Sequence, residues 1–320
     1  MPTSDPRPTR AARRPVRDEP RGPVVVSLGG SRAGRRALEW AAGEAAVRGS
    51  ALRIVHTIAL PLFPADPWQW AFAPGLGLVA YDVARAELAD AVGHAHAIDP
   101  GLEVSTELLH GPPGPGLLAC VRGDDALVVV GRRRRGAARP RALAPAVAWG
   151  ALRRAGRPAV VVDLADARER GPSTGRVLVA LDGTHDPSPV LDVAFRAAAR
   201  RGAGLTLLHA WPSRAGGGTG TGASPGAGSD EHVDALLGAY RDAFAGVGVR
   251  HRQVALLAEA VAAETRGVAM TVVAAPTGGG DLGGRSRARR LVRAARGPVT
   301  LVPVSPARPG PRAAARAVRP

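Results

Sequence analysis

The chain repeats itself. Residues Val24–Thr57 and Val177–Ala210 align without a gap at a constant offset of 153 positions. VVVSLGGS (24–31) answers to VLVALDGT (177–184), and ALEWAAGEAAVRGSALRIVHT (37–57) to VLDVAFRAAARRGAGLTLLHA (190–210). Further along, ALVVVG (126–131) matches AMTVVA (269–274), and GRPAVVV (156–162) matches RGPVTLV (296–302). A 320-residue chain that carries two copies of a unit of about 140 residues is a tandem of two equivalent domains. The repeat predicts domains at 23–163 and 175–304, joined by a polar linker at 164–174. Arginine-rich tails at 1–22 and 305–320 read as disordered.

Each copy alternates short β-branched runs with longer helical patterns. In the first copy the predicted strands are Val24–Leu28, Leu52–Thr57, Leu102–Thr106, Ala126–Val130 and Ala159–Val162, bounded by Gly, Pro or charge. Helices are predicted near 31–48, 82–98, 113–122 and 142–155. The second copy places strands near 177–181, 204–209, 249–254, 270–274 and 299–303. Alternation of strand and helix predicts the α/β class: two tandem, five-stranded, parallel-sheet, Rossmann-like domains with helices on both faces. Ligands of such sheets sit at the carboxyl ends of the strands.

Composition removes several chemistries. All 43 basic residues are arginine, which excludes a Walker lysine, a Schiff base and a lysine general base. The single cysteine, Cys120, excludes an intrachain disulfide and any multi-cysteine metal site, and fits a reducing cytoplasm. No run of about 18 apolar residues is free of charge or proline, so no membrane span is expected. The arginine-rich start lacks the apolar core of a secretory signal.

The strand-one ending with D-G-S/T and the A-L-x-x-A helix that follows resemble the opening of the universal stress protein family. The strand-two endings V-H-T and L-H-A-W, the late strand V-V-V-G, and the closing R-P-A-V-V-V or G-P-V-T-L-V are similar to that family too. The resemblance covers residues 23–163 and 175–304, in the tandem form. It implies a five-stranded α/β domain, usually dimeric through its last strands, and a non-enzymatic role in the stress response. Many members bind ATP. The signature for that is G-x2-G-x9-G-S/T after strand four, where glycines let backbone N–H groups approach phosphate and a hydroxyl with a helix N-terminus completes the anion site. An Asp at the end of strand one is associated with the metal–nucleotide.

The two copies depart from this pattern unequally. In copy one the Asp is Gly29; Gly131 keeps the first glycine, the second falls on Arg134, and the terminal pair on Ala144-Pro145 or Pro145-Ala146. Proline has no N–H and alanine no hydroxyl, so nucleotide binding is read as lost there. Copy two keeps Asp182, Gly183 and Thr184. Its first two signature glycines fall on Ala274 and Thr277 or on Ala275 and Gly278, and the terminal pair on Arg285-Ser286, after Gly283 and Gly284. Gly278, Gly279 and Gly280 remain as a candidate phosphate cradle and Ser286 as its cap. ATP, with magnesium, is the cofactor this implies, in domain 2 alone and weakened.

Alternative readings are an ATP-binding stress sensor using domain 2, and an interaction protein whose arginine clusters hold an acidic partner. The clusters are Arg132–Arg135 and the set Arg285, Arg287, Arg289, Arg290, Arg293 and Arg296. Interleaved aromatics for base stacking are missing, which argues against nucleic acid. The aromatic segment with Trp68, Trp70 and Phe72 is a further candidate for protein docking. The last strands, Ala159–Val162 and Val299–Pro303, are expected to pair, as a pseudo-dimer within one chain or between two chains. His94 and His96 lie two apart on a helix and face different ways, so they do not chelate together. His56 and His209 are repeat-equivalent at the end of strand two and read as structural. No catalytic constellation is evident.

Overall fold

The computed structural model describes residues 22–29, 31–58, 76–111, 113–123, 126–132, 148–150, 152–153, 156–163, 175–210, 227–265, 267–277 and 282–304. The expected linker, both tails, the segment with Trp68, Trp70 and Phe72, and Gly278, Gly279 and Gly280 lie outside them.

The apolar runs of the first half form β1 (Val24–Leu28), β2 (Leu52–Ile58), β3 (Val104–His110), β4 (Leu127–Arg132) and β5 (Ala159–Asp163). Between them run α1 (Arg32–Arg48), α2 (Leu76–Ile98) and α3 (Pro113–Ala119). The second half repeats the plan. Its elements are β6 (Val177–Leu181), α4 (Ser188–Arg200), β7 (Leu205–His209), α5 (Ala227–Ala243), β8 (Val249–Gln253), α6 (Leu257–Glu264), β9 (Met270–Pro276), α7 (Leu282–Ala294) and β10 (Val299–Val304).

Local signals explain the helix ends. Ser31, in extended conformation, caps α1 by accepting from the Gly34 N–H, and Gly49 closes that helix in the left-handed conformation at φ 61°, where a side chain is disfavoured. In α4 the acceptor is Asp186, whose carboxylate takes the Ser188 N–H at 3.0 Å. The strand expected at Leu102–Thr106 begins at Val104 instead. Leu102 is buried but belongs to the turn, where its N–H donates to Asp99 O at 3.1 Å. The helix expected over 82–98 starts earlier, at Leu76.

All ten strands form one sheet in the order β3-β2-β1-β4-β5-β10-β9-β6-β7-β8. Every pairing is parallel except the central one, where β10 runs antiparallel to β5 with Val299, Thr300 and Leu301 opposite Val161, Val160 and Ala159. The last strands of the two halves thus pair within one chain, and each covers the other's open edge. The outer strands β3 and β8 are the polar ones, as edge strands should be.

Two apolar layers cover the sheet, and both cross the junction. On one face residues of α1, α2, α4 and α5 form one apolar cluster with Val160 and Val162 of β5 and Val302 and Val304 of β10. On the other, residues of α3, α6 and α7 with Trp149 form a second cluster with Val161, Val299 and Leu301. The halves are therefore continuous through their cores. Among the described residues no helix is long and apolar enough to cross a membrane.

Candidate functional site

In the second half, β6 ends at Leu181 and α4 begins at Ser188, leaving Asp182–Pro187 to turn the chain at the carboxyl edge of the sheet. Gly183 takes this turn at φ 66°, which a side chain would strain. Tyr240 of α5 stacks on Phe195 at 5.0 Å and donates its hydroxyl to Ser188 O at 3.0 Å, fixing the first turn of α4. Beside that turn lies a cleft of about 500 Å³, counting its open mouth. Leu181, Pro187, Val190, Val233 and Ala274 supply apolar wall, and Asp182, His185, Asp186 and His209 supply polar groups. Apolar walls with a few convergent polar groups at strand carboxyl ends are the usual make-up of a small-molecule site.

Asp182 is the most heavily bonded of these groups. Its Oδ1 accepts from the Thr184 N–H at 3.1 Å and from the Thr184 hydroxyl at 2.7 Å. Its Oδ2 accepts from Arg287 Nε at 2.9 Å, across from α7. A hydroxyl has one proton, and Thr184 gives it to Asp182. Thr184 Oγ1 therefore accepts from Arg287 Nη2 at 3.2 Å and from His185 Nδ1 at 2.8 Å, which assigns a proton to Nδ1 of His185. His185 Nδ1 also stands 3.6 Å from Asp182 Oδ1.

Burial alone would favour a neutral Asp182, but hydrogen bonds from His185 and Thr184 outweigh it and hold the carboxyl well below the usual carboxylate range. A carboxylate whose pKa is depressed on folding adds stability above its unfolded value of about 4, and loses that contribution as pH falls toward the lower folded value. Asp182→Asn is thus expected to flatten the loss of unfolding free energy below about pH 4, read from denaturant titrations at stepped pH. Superimposable acid profiles of variant and wild type would show that the carboxylate is not held in this way.

The other candidate residues are placed less centrally. Gly284 lies in the first turn of α7, and Ser286 is exposed one turn into that helix, so Ser286 does not stand at the helix start as a cap would. The arginine set divides: Arg287 turns to Asp182, and Arg289 lies over the Trp149 ring at 5.6 Å. His209 lines the cleft, with His251 behind it at 6.1 Å between ring centres. His56, its equivalent, faces Glu87 at 3.6 Å. His94 bonds Asp90 O and His96 bonds Leu102 O, so the two do not converge. His185 and Arg287 join the Asp182–Thr184 cluster, a link that sequence reasoning did not make. Arg287 was visible within an arginine run, and only the start of α7 decides which member of that run reaches β6.

The first half has a different arrangement at the same place. Only residues 29–31 separate β1 from α1, against 182–187 between β6 and α4, so α1 begins one turn earlier relative to the repeat. Val24 pairs with Leu127 as Val177 pairs with Met270, which makes Gly131 the counterpart of the cleft residue Ala274. A Cβ on Gly131 would overlap the Ala33 carbonyl, and one on Gly34 would overlap the Gly29 backbone. The first turn of α1 thus rests directly on the ends of β1 and β4, where the second half keeps a cleft. Gly131 serves this packing.

A sequence profile of the universal stress protein family matches residues 20–163 and 174–303. A universal stress protein of Mycobacterium tuberculosis is 32% identical over 202 residues, 59% of this chain and 62% of the relative. A second from the same organism is 34% identical over 195 residues, 59% of this chain and 63% of the relative. The chain thus spans a little over three fifths of the length of the curated relatives it matches. Among solved structures, a universal stress protein from Archaeoglobus fulgidus superimposes with a TM-score of 0.62 at 15% identity, covering 88% of this chain and 98% of that one, a likeness of fold. With its profile matched twice over most of the sequence, the chain belongs to the universal stress protein family and carries two of its domains.

Proposed function

We propose that the protein is a nucleotide-binding stress protein with one site per chain, in its second half, and that it acts in the cytoplasm by binding and not by catalysis. One observation carries this reading. The same position in the repeat is an open cleft beside an ordered Asp182 in one half and is filled by the first turn of α1 in the other. The cleft's apolar walls suit a base, and Asp182 and His185 offer polar groups to a ribose.

Thermal unfolding with millimolar ATP, in magnesium and again in EDTA, tests the reading. Saturation of one site should stabilise the fold by roughly 2–4 kcal/mol and raise the midpoint by several degrees. Asp182→Ala should abolish the shift. No shift in either medium would overturn the reading, as would a shift that survives in Asp182→Ala.

A further inference from the structure

We propose that the second-half cleft takes its nucleotide without a divalent cation, with Arg287 supplying at Asp182 the positive charge that a metal would otherwise bring. This rests on the nucleotide reading above.

Magnesium demands near-octahedral oxygen coordination at about 2.0–2.1 Å and usually draws one or two carboxylates plus phosphate oxygens and waters. The described residues around Asp182 do not fit it. Asp182 Oδ1 already accepts two bonds from Thr184, and Oδ2 faces Arg287 Nε at 2.9 Å. A cation at Oδ2 would have to displace a guanidinium or sit against one. The other acid of the cleft wall, Asp186, is exposed and engaged in holding the start of α4 through the Ser188 N–H. Among the described residues no group of three or more His, Cys, Asp or Glu side chains is placed to hold a metal ion.

Arg287 fits the opposite role. Its Nε and Nη2 anchor it to Asp182 and Thr184, so the fork is held in one orientation beside the cleft residue Asp182, with its side chain 45% exposed. The N–H groups of Nη1 have no protein acceptor among the described residues and are left for a ligand oxygen. A planar guanidinium matches phosphate oxygens in pairs, and an anchored one loses little freedom on binding. The positive charge is thus built into α7. The ligand class is a nucleotide whose phosphate is met by arginine as the metal-free anion.

Calorimetric titration of the full chain with AMP, with ATP and with adenosine, each in EDTA and in excess magnesium, tests the inference. For ATP and AMP the expected affinities in the two media agree within about twofold, and adenosine binds at least about tenfold more weakly than AMP. Arg287→Ala should remove the advantage of AMP over adenosine and make ATP binding depend on magnesium, because Oδ2 of Asp182 is then open to a cation. The wild-type comparison needs no variant. ATP binding seen only with magnesium overturns the inference and leaves the nucleotide reading standing. Absence of binding by all three ligands in both media overturns the reading, and the inference with it.

Discussion

Glu44→Ala is expected to cost about 3–5 kcal/mol, lowering the thermal midpoint by on the order of 10 °C, although position 44 is remote from the cleft. Glu44 lies in α1 of the first half, and its Oε2 accepts from Arg201 Nη2 of the second half. The Arg201 side chain is 0% exposed and that of Glu44 4%, so the pair is buried where the two halves meet. Arg201 also donates from Nη1 to Ala197 O at 3.0 Å. Glu44 has a second neighbour, Arg48, whose Nε stands 4.0 Å from its Oε1. Arg48 and Arg201 occupy the same place in the repeat, whereas the counterpart of Glu44 is Ala197. One carboxylate therefore serves two buried guanidiniums across the junction.

Removing that carboxylate leaves both arginines in a low-dielectric interior without their shared counter-charge, which is the expensive way to break a buried pair. Arg201→Met is expected to cost clearly less, because Glu44 then still has Arg48. Chemical unfolding of the two variants, followed by circular dichroism, measures both. Equal losses under about 1 kcal/mol would place the pair in the class of solvated surface bridges and overturn the argument. A second effect follows from the continuity of the sheet and both apolar layers through β5 and β10. The variant should lose its two halves together, in one transition.

Why the pair was not legible in the sequence is instructive. Repeat alignment places Arg48 opposite Arg201 but says nothing of Glu44, because the contact joins non-equivalent positions across the junction. The parallel α/β plan was legible: short β-branched runs alternating with helical segments, found twice, call for a parallel sheet with right-handed crossovers. That Ala159–Val162 and Val299–Pro303 would pair was legible as the cover for two open edges, and their antiparallel sense came from the structure. Edge strands were harder. β3 is a polar strand whose exposed positions weaken the apolar signal, so the buried Leu102 drew the expectation toward the preceding turn. In the site, Asp182 and Thr184 were readable because they sit at a strand end shared with the family. Val233 and Arg287 were not, since one reaches the cleft and the other Asp182 from helices whose rotation only packing decides.

Gly131→Ala is expected to cost about 3 kcal/mol, while Ala274→Gly at the matching position of the second half should cost under about 1 kcal/mol. The added Cβ at Gly131 would meet three backbone atoms, the carbonyl oxygen and carbon of Ala33 and the nitrogen of Gly34, and backbone cannot swing aside as a long side chain can. Relief requires α1 to lift from β4, and α1 carries Ala37, Leu38, Ala41 and Ala45 into the core, so lifting it separates a large apolar contact. At Ala274 the corresponding space is the cleft, and removing a methyl there costs only backbone freedom and a little wall. Urea titrations of the two variants compare the costs directly. A tolerated Gly131→Ala would mean that α1 does not rest on the end of β4. The asymmetry also bears on function. Gly131 and Gly34 let the helix begin a turn early and fill the crevice, so the first half differs from the second by more than its missing carboxylate. An acid restored at position 29 would stand beside a filled crevice.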